Sequence, residues 1–149
     1  MKKIVSFTVD HTKLNPGLYV SRTDGDIVTY DLRMRKPNTG DLMSNSAMHS
    51  LEHMLATYMR NGEMADDVIY VGPMGCQTGF YVLVRENNNE RFLACLKSAL
   101  SGIIAHEGEI FGKSEIECGN CKNLDLSEAK REAKAYLDIL NSKQINFKY

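Results

Sequence analysis

Residues 44–60 read SNSAMHSLEHMLATYMR, and the spacing of their apolar side chains predicts an amphipathic helix. The apolar residues that recur three or four positions apart are Met48, Leu51, Leu55 and Met59. Ser44 or Ser46 can cap the start of this helix, and Gly62 can end it. One face of the helix is therefore assigned to the core, and we expect the rest of the chain to be organised around it.

The same helix carries two histidines and a glutamate beside this apolar face. His49 and His53 are four residues apart, so both imidazoles can point at one spot, and Glu52 lies next to them. Two imidazoles and an adjacent carboxylate are typical of a catalytic divalent metal site, here in the inverted order His-x-x-Glu-His. Histidines that are merely solvated or packed in a core have the same spacing, so the pattern alone leaves both interpretations open.

The composition is that of an ordinary soluble globular protein. The 149 residues fit one domain, and 43% of them are hydrophobic and 25% charged. Lys and Arg number 18 and Asp and Glu number 19, which gives a formal net charge of -1. Because there is no basic excess, we expect no nucleic-acid partner.

The first residues of the chain, Met1-Lys2-Lys3, resemble the start of a signal peptide. Residues 4–10 are too short and polar to be the apolar region of such a peptide. No stretch is long and apolar enough to span a membrane. We therefore expect a cytoplasmic protein without a membrane partner.

Short β-prone stretches alternate with longer helical ones along the chain. Strands are predicted at residues 18–20, 27–35, 68–71 and 80–84. A second helix opens at Asn87-Asn88-Asn89 and runs to about Ala105, and a last one starts near Asp125. Neighbouring strands joined by turns, with helices between the groups, predict the α+β class. We expect a two-layer single domain in which an antiparallel β-sheet packs against helices.

A catalytic metal site usually needs three protein ligands and one open position, so two histidines are too few. The third ligand could be Cys118 or Cys121, which have the two-residue gap of many zinc sites. If both bound, the four side chains would form a closed structural site with no catalysis. The sequence does not choose between one thiolate and two.

Cys76 is a different kind of thiol, because it lies in a glycine-flanked turn between two predicted strands. Such turns expose a side chain and bring backbone N–H groups close to it. A nearby metal ion or arginine favours the thiolate form, which can act as a base. A buried structural cysteine is the alternative that the residues leave open.

Five motifs, which occur in one order along the chain, resemble the S-ribosylhomocysteine lyase (LuxS) family. They are residues 6–12 (SFTVDHT), 31–33 (DLR) with Pro37-Asn38, 49–53 (HSLEH), 73–81 (PMGCQTGFY) and 117–119 (ECG). The resemblance extends from residue 6 to about residue 134. Each motif alone is weak evidence for the family, whereas all five in the family's order are highly specific evidence.

This resemblance implies a metal held by His49, His53 and Cys118, with one metal per subunit. The implied metal is Fe²⁺, which zinc or cobalt can replace. Glu52 and Cys76 match the catalytic acid/base pair of the family. The chain would then form a single metal-dependent lyase domain over residues 1–149.

The resemblance also implies the substrate and its pocket. Ser6, His11 and Arg33 match positions that line the substrate pocket. The implied assembly is a homodimer with its active site at the subunit interface. The implied reaction cleaves S-ribosylhomocysteine to homocysteine and 4,5-dihydroxy-2,3-pentanedione, the precursor of the quorum signal autoinducer-2.

Two residues depart from the family pattern, and two other functions compete with the lyase. Tyr70 stands where an acidic residue is expected to meet the amino group of the homocysteine moiety, and Cys121 is an additional thiol.

A zinc peptidase with the inverted motif would use Glu52 as a base but needs a third ligand that is usually acidic. A structural zinc module would need Cys121 as much as Cys118.

Overall fold

The computed structural model describes residues 1–2, 4, 7–85 and 87–149 of the chain. Ser6, which the resemblance assigns to the substrate pocket, lies outside the described residues. The elements in chain order are strands β1 (Gly17–Asp24) and β2 (Ile27–Arg33), helix α1 (Asn45–Arg60), strands β3 (Val68–Pro73) and β4 (Gly79–Arg85), and helices α2 (Asn89–Ala105) and α3 (Leu126–Ser142). Across the described ranges, none of the helices has the length and apolar character needed to cross a bilayer.

The four strands form one antiparallel sheet in the order β1-β2-β4-β3. A tight turn joins β1 to β2, and Gly25 takes a φ of 62° there, which a residue without a Cβ adopts at no steric cost. The central pairing of β2 with β4 aligns Arg33 with Gly79. The end of β2 therefore lies beside the β3–β4 turn, which carries Cys76.

Helices α1, α2 and α3 cover one face of the sheet and enclose the core with it. The sheet contributes buried apolar side chains from its two central strands: Val28, Tyr30, Leu32, Phe80, Val82 and Val84. The helices contribute others, among them Leu51, Met54, Leu55, Phe92, Leu96 and Ala133. The predicted α+β class, with an antiparallel sheet packed against helices, is confirmed.

Helix α1 begins and ends close to the predicted residues. Ser44 is the N-cap, and its side chain accepts a hydrogen bond from the backbone N–H of Ala47. The helix ends at Arg60, and the Asn61 side chain donates to the carbonyl of Thr57 in the last turn. Both ends of the helix that carries the two histidines are thus anchored by side chains.

The face of the sheet opposite the helices carries two charged residues of β2 that are buried. The alternation in residues 27–35 predicts this face to be polar, and Asp31 and Arg33 do lie on it. They are nevertheless only 0% and 2% exposed. Tyr19 and Tyr81 flank Asp31 on the neighbouring strands, and Tyr149 donates a hydrogen bond to its carboxylate. The alternation identifies the face, whereas the burial comes from side chains distant in sequence.

Replacement of Leu51 by Ala tests whether the packing of α1 stabilises the fold. Leu51 is 0% exposed, so Leu51→Ala removes buried contacts and leaves a cavity. We expect the free energy of unfolding, measured by urea denaturation, to fall by about 2–5 kcal/mol. Leu42 is 47% exposed and is the matched control, since surface truncations usually change stability by less than about 0.5 kcal/mol. Equal losses in the two variants would contradict this assignment of the core.

Candidate functional site

Three side chains from two parts of the chain converge at the surface of α1. The ligand atoms of His49, His53 and Cys118 all lie within 4.8 Å of one another. The Cys118 Sγ is 3.4 Å from His49 Nε2, and the two imidazole rings stand nearly perpendicular, at 84°. The i, i+4 spacing on α1 and the loop before α3 together produce this cluster.

Each histidine of the cluster is oriented by a hydrogen bond on the far side of its ring. His49 Nδ1 donates to the side-chain oxygen of Asn123 at 3.0 Å, and His53 Nδ1 donates to the carbonyl of Phe111 at 2.9 Å. Because both partner atoms are oxygens that accept, Nδ1 is the donor in each ring, and Nε2 is the nitrogen that the neutral ring offers to a metal.

Gly112 makes the close approach between His53 and its loop possible. A Cβ at this position would lie 2.7 Å from His53 Nδ1, which no real side chain tolerates. Gly112 also has a φ of 70°, in the region where residues with a Cβ are strained. Both features favour glycine beside the imidazole.

The loop before α3 presents Cys118 to the histidines. The backbone N–H of Cys118 donates to the carbonyl of Ser114, and the N–H of Asn120 donates to Cys118 Sγ at 3.4 Å. Among the residues that the structure describes, Cys121 is not part of the donor cluster. Of the two arrangements that the sequence left open, the geometry therefore favours three donors over a closed set of four.

The three donors fit a divalent transition metal. Bond lengths of about 2.0–2.3 Å to two nitrogens and a sulfur place neighbouring donors roughly 3.3–3.7 Å apart in a tetrahedral site. The 3.4 Å between Cys118 Sγ and His49 Nε2 matches this spacing, whereas the cluster as a whole extends to 4.8 Å and has to contract slightly to bind a metal in this geometry. Two imidazoles and one thiolate suit iron, cobalt and zinc better than Mg²⁺ or Ca²⁺. A three-donor set leaves a position open, as catalytic sites require.

A separate cavity of about 370 Å³ surrounds Cys76, which is exposed in the β3–β4 turn. The described residues that line it are His11, Arg33, Pro37, Asn38, Gly40, Leu42, Cys76 and Thr78. Two predicted substrate-binding residues, His11 and Arg33, thus share a cavity with the predicted catalytic thiol. The three metal donors are not part of this described lining.

Arg33 connects the cavity to a buried carboxylate. Its guanidinium donates to both oxygens of Asp31, at 3.1 and 2.6 Å, and to the Thr78 hydroxyl at 2.7 Å. Its Nη1 also lies 3.9 Å from Cys76 Sγ, and the Thr78 hydroxyl is 3.0 Å from that sulfur. Burial disfavours the charged guanidinium, but the hydrogen bonds and charge of Asp31 outweigh it and raise the pKa of Arg33. A permanent cation therefore lies next to the thiol.

The other predicted residues occupy distinct places. His11 is partly buried, and its Nδ1 donates to the carbonyl of Val9 at 2.9 Å. Glu52 lies partly buried on α1 between the two histidines in sequence. Tyr70 is 51% exposed on β3, and its ring lies across Gly72, where a Cβ would be 2.2 Å from the tyrosine hydroxyl.

Four supporting groups were missed by the sequence analysis: Asp31, Thr78, Asn123 and the Phe111 carbonyl. Asp31 could have been found, because it lies two residues before Arg33 on the same face of β2. Thr78 is two residues after Cys76 in the same turn, which is a weaker signal. Asn123 and Phe111 meet their histidines across 74 and 58 residues of sequence, and no local pattern reveals such contacts.

The fold and the donors define a class: small α+β proteins in which two histidines of one helix and a loop cysteine can hold a metal ion. Comparison with known proteins narrows the class to one family. A profile of the S-ribosylhomocysteinase (LuxS) family matches residues 4–147, and the chain belongs to this family.

Similar proteins from several bacteria are named S-ribosylhomocysteine lyase. The chain is 47% identical over 156 residues to that of Borreliella afzelii (strain PKo), a match that covers 100% of this chain and 99% of the relative. It is 43% identical over 147 residues to that of Finegoldia magna, with coverage of 95% and 94%. It is 41% identical over 157 residues to that of Clostridium beijerinckii, with coverage of 100% and 99%. The relatives therefore match along essentially the whole chain.

Substitution of the two loop cysteines distinguishes three donors from four. We expect Cys118→Ala to weaken Co²⁺ binding by more than about a hundredfold, because a direct ligand matters more than a second-sphere contact. Cys121→Ala is the matched control and should bind Co²⁺ as the parent does, because its thiol lies outside the cluster. The Co²⁺ affinity of each variant is measured by titration, with the visible and near-ultraviolet absorption of bound Co²⁺ as the signal. Equal loss in the two variants would indicate a closed four-donor site instead.

Proposed function

We propose that this chain is an S-ribosylhomocysteine lyase, a metal-dependent carbon–sulfur lyase formed by residues 1–149. One observation carries the proposal: the chain combines an open three-donor cluster with an exposed thiol held beside a buried arginine. The full-length similarity to proteins that bear this name supports the same reaction. The products are homocysteine and 4,5-dihydroxy-2,3-pentanedione, the autoinducer-2 precursor.

The reaction needs no oxidant, because the substrate carbonyl only moves along the sugar. Removal of the C2 proton and its return at C1 shifts the carbonyl from C1 to C2, and a second such shift brings it to C3. The C4 proton is then acidic. Its loss forms a C4–C5 double bond and expels homocysteine as the thiolate from C5. The resulting enol then takes up a proton at C5 and becomes the diketone. A metal ion at the three donors supplies Lewis-acid polarisation of the sugar oxygens.

Cys76 is the proposed base for the carbon-bound protons. As a thiolate it removes the proton from C2, and as a thiol it returns that proton at C1. The guanidinium of Arg33 faces this thiol, with its Nη1 at 3.9 Å from Cys76 Sγ. Because Arg33 is buried and fixed by Asp31, its charge is not dispersed into water.

Glu52 and the polar cavity residues have complementary proposed roles. Glu52 lies on α1 beside the two histidine ligands, and we assign it the transfer of protons between the sugar oxygens. His11 and Arg33 line the cavity of Cys76, and we assign them, together with Ser6, to binding of the substrate.

The proposed metal is Fe²⁺, one per subunit, with zinc or cobalt as replacements. The nitrogen and sulfur donors suit all three ions. The described cysteines are free thiols, which fits a reducing compartment, and we place the enzyme in the cytoplasm on that basis. Metal analysis of protein purified without oxygen tests the choice of ion.

The competing functions account for fewer of the contacts. A zinc peptidase uses a carboxylate more often than a thiolate as its third ligand, and it has no role for Cys76. A structural zinc module requires Cys121 as a fourth donor, yet Cys121 lies outside the cluster among the described residues. Neither function explains the arginine beside Cys76.

Release of free thiol from S-ribosylhomocysteine tests the proposal directly. Protein purified without oxygen and loaded with Fe²⁺ should release homocysteine, detected with a thiol reagent after removal of the protein. We expect Cys76→Ala to lower kcat by about 10²–10⁴-fold, the usual contribution of an acid/base group. Its metal content and circular dichroism should match the parent, because Cys76 is not a ligand. Full turnover in Cys76→Ala would contradict the proposed role of Cys76 as the base. Absence of turnover in the folded, metal-loaded parent would contradict the proposed lyase function.

We further propose that the active unit is a homodimer with its active site at the subunit interface. Metal donors and thiol come from different elements: α1 and the loop before α3 hold the donors, whereas the β3–β4 turn holds Cys76. On the edge strand β3, the neighbouring large side chains of Ile69 and Tyr70 are 38% and 51% exposed. A second chain can cover them and bring its own donors to the cavity.

Mixing two inactive variants tests the shared site. Cys76→Ala keeps the metal donors, and Cys118→Ala keeps the thiol. If each site takes metal from one chain and thiol from the other, a heterodimer has one complete site. Random mixing then restores roughly a quarter of the parent rate, because about half of the dimers are heterodimers. Analytical ultracentrifugation checks dimer formation, and heterodimers without activity would place each complete site within one chain.

A further inference from the structure

Residues 145–149 return to the sheet after α3, and the last of them reaches the buried carboxylate of Asp31. The backbone N–H of Val20 donates to the carbonyl of Phe147 at 2.8 Å, and Phe147 forms a parallel bridge with Tyr19. The Phe147 side chain is 7% exposed and belongs to the core. The segment is therefore held along the outer edge of β1.

Tyr149 lies at the end of this segment and contacts the buried charges. Its ring stacks on that of Tyr19, with the ring centres 4.9 Å apart and the planes 13° from parallel. Its hydroxyl donates to Asp31 Oδ2 at 2.8 Å. Burial, followed by the negative charge of Asp31, raises the pKa of Tyr149 far above its ordinary value. The hydroxyl therefore remains protonated and can donate.

One Asp31 oxygen receives hydrogen bonds from both Tyr149 and Arg33. Arg33 Nη2 lies 2.6 Å from Asp31 Oδ2, and Arg33 Nε lies 3.1 Å from the other oxygen. The far side of the same guanidinium bonds Thr78 and faces Cys76. A continuous chain of polar contacts thus runs from the Tyr149 hydroxyl through Asp31 and Arg33 to the Cys76 sulfur.

We propose that Tyr149 is a positioning residue for Cys76, because its hydroxyl fixes the Asp31 carboxylate that orients Arg33 against the thiol. The inference deepens the proposed function, in which Cys76 is the base. Without the hydroxyl, Asp31 can rotate and draw the guanidinium away from Thr78 and Cys76. The guanidinium is then held less closely against the Cys76 sulfur.

Tyr149→Phe removes the hydroxyl and keeps the ring that stacks on Tyr19. The measurement is the rate of Cys76 alkylation by iodoacetamide as a function of pH, in metal-loaded protein, with the modified peptide identified by mass spectrometry. We expect alkylation at pH 7 to slow by roughly two- to tenfold, which corresponds to the net value of one hydrogen bond. The pH profile should move to higher pH. In turnover, kcat should fall, and KM should rise as well, because Arg33 is also one of the proposed substrate-binding residues.

Tyr19→Phe is the matched control. It removes a hydroxyl from the other ring of the same stack, but that hydroxyl donates to the carbonyl of Asn15 at 2.8 Å and not to Asp31. Its alkylation profile should equal that of the parent. Equal shifts in the two variants would assign the effect to the stack, and an unshifted profile in Tyr149→Phe would remove Tyr149 from any positioning role.

A double-mutant cycle with Asp31→Asn tests the path of the effect. If Tyr149 acts through Asp31, adding Tyr149→Phe to Asp31→Asn slows alkylation no further. Additive slowing would overturn the proposed path. If Asp31→Asn does not fold, the comparison of Tyr149→Phe with Tyr19→Phe decides alone. Alkylation needs no substrate, so a parent without lyase turnover would remove the proposed function while leaving this test intact.

Discussion

The packing of α1 against the sheet is the constraint on which the candidate metal centre depends. Leu51 and Leu55 are fully buried, so the helix cannot rotate without exposing them. The two histidines lie at the margin of this buried stripe, and their direction is therefore set by the core. Hydrogen bonds to Asn123 and to the Phe111 carbonyl then fix the rings. The hydrophobic core thus prepares two donors before any metal binds.

The thiol cavity depends on a different interaction, the buried pair of Asp31 and Arg33. Burying two charges is costly, and a pair of this kind contributes little net stability unless its hydrogen bonds are complete. Here Asp31 receives bonds from Arg33 and Tyr149, and Arg33 also reaches Thr78. The arrangement keeps a cation beside Cys76 in a setting where water screens it weakly. We infer that the chain tolerates the energetic cost of burying this pair because a fixed positive charge is needed beside Cys76.

Local sequence signals predicted most of the secondary structure and the two histidines of the donor cluster, for identifiable reasons. Apolar spacing and the Ser44 cap act within a few residues, and they predicted α1 to within one residue at its start. The i, i+4 histidines follow from the same helix. The sequence did not show whether Cys118 or Cys121 is the third donor, because either thiol could reach the histidines from this loop. Only the three-dimensional path of the loop distinguishes the two cysteines. Likewise, alternation placed Asp31 on a polar face, but its burial depends on Tyr149, which lies 118 residues away. Contacts of that range leave no periodic trace in a single sequence.

The strand order has a consequence for how the protein folds. The β1–β2 and β3–β4 hairpins close over short loops, whereas the pairing of β2 with β4 joins segments separated by α1 and its flanking loops. Closing a long loop costs chain entropy before its contacts repay it, so such pairings form slowly. Arg33 and Cys76 are 43 residues apart and meet only through this central pairing. We therefore expect the hairpins to form early and the cavity to be completed late, together with the tertiary docking of α1.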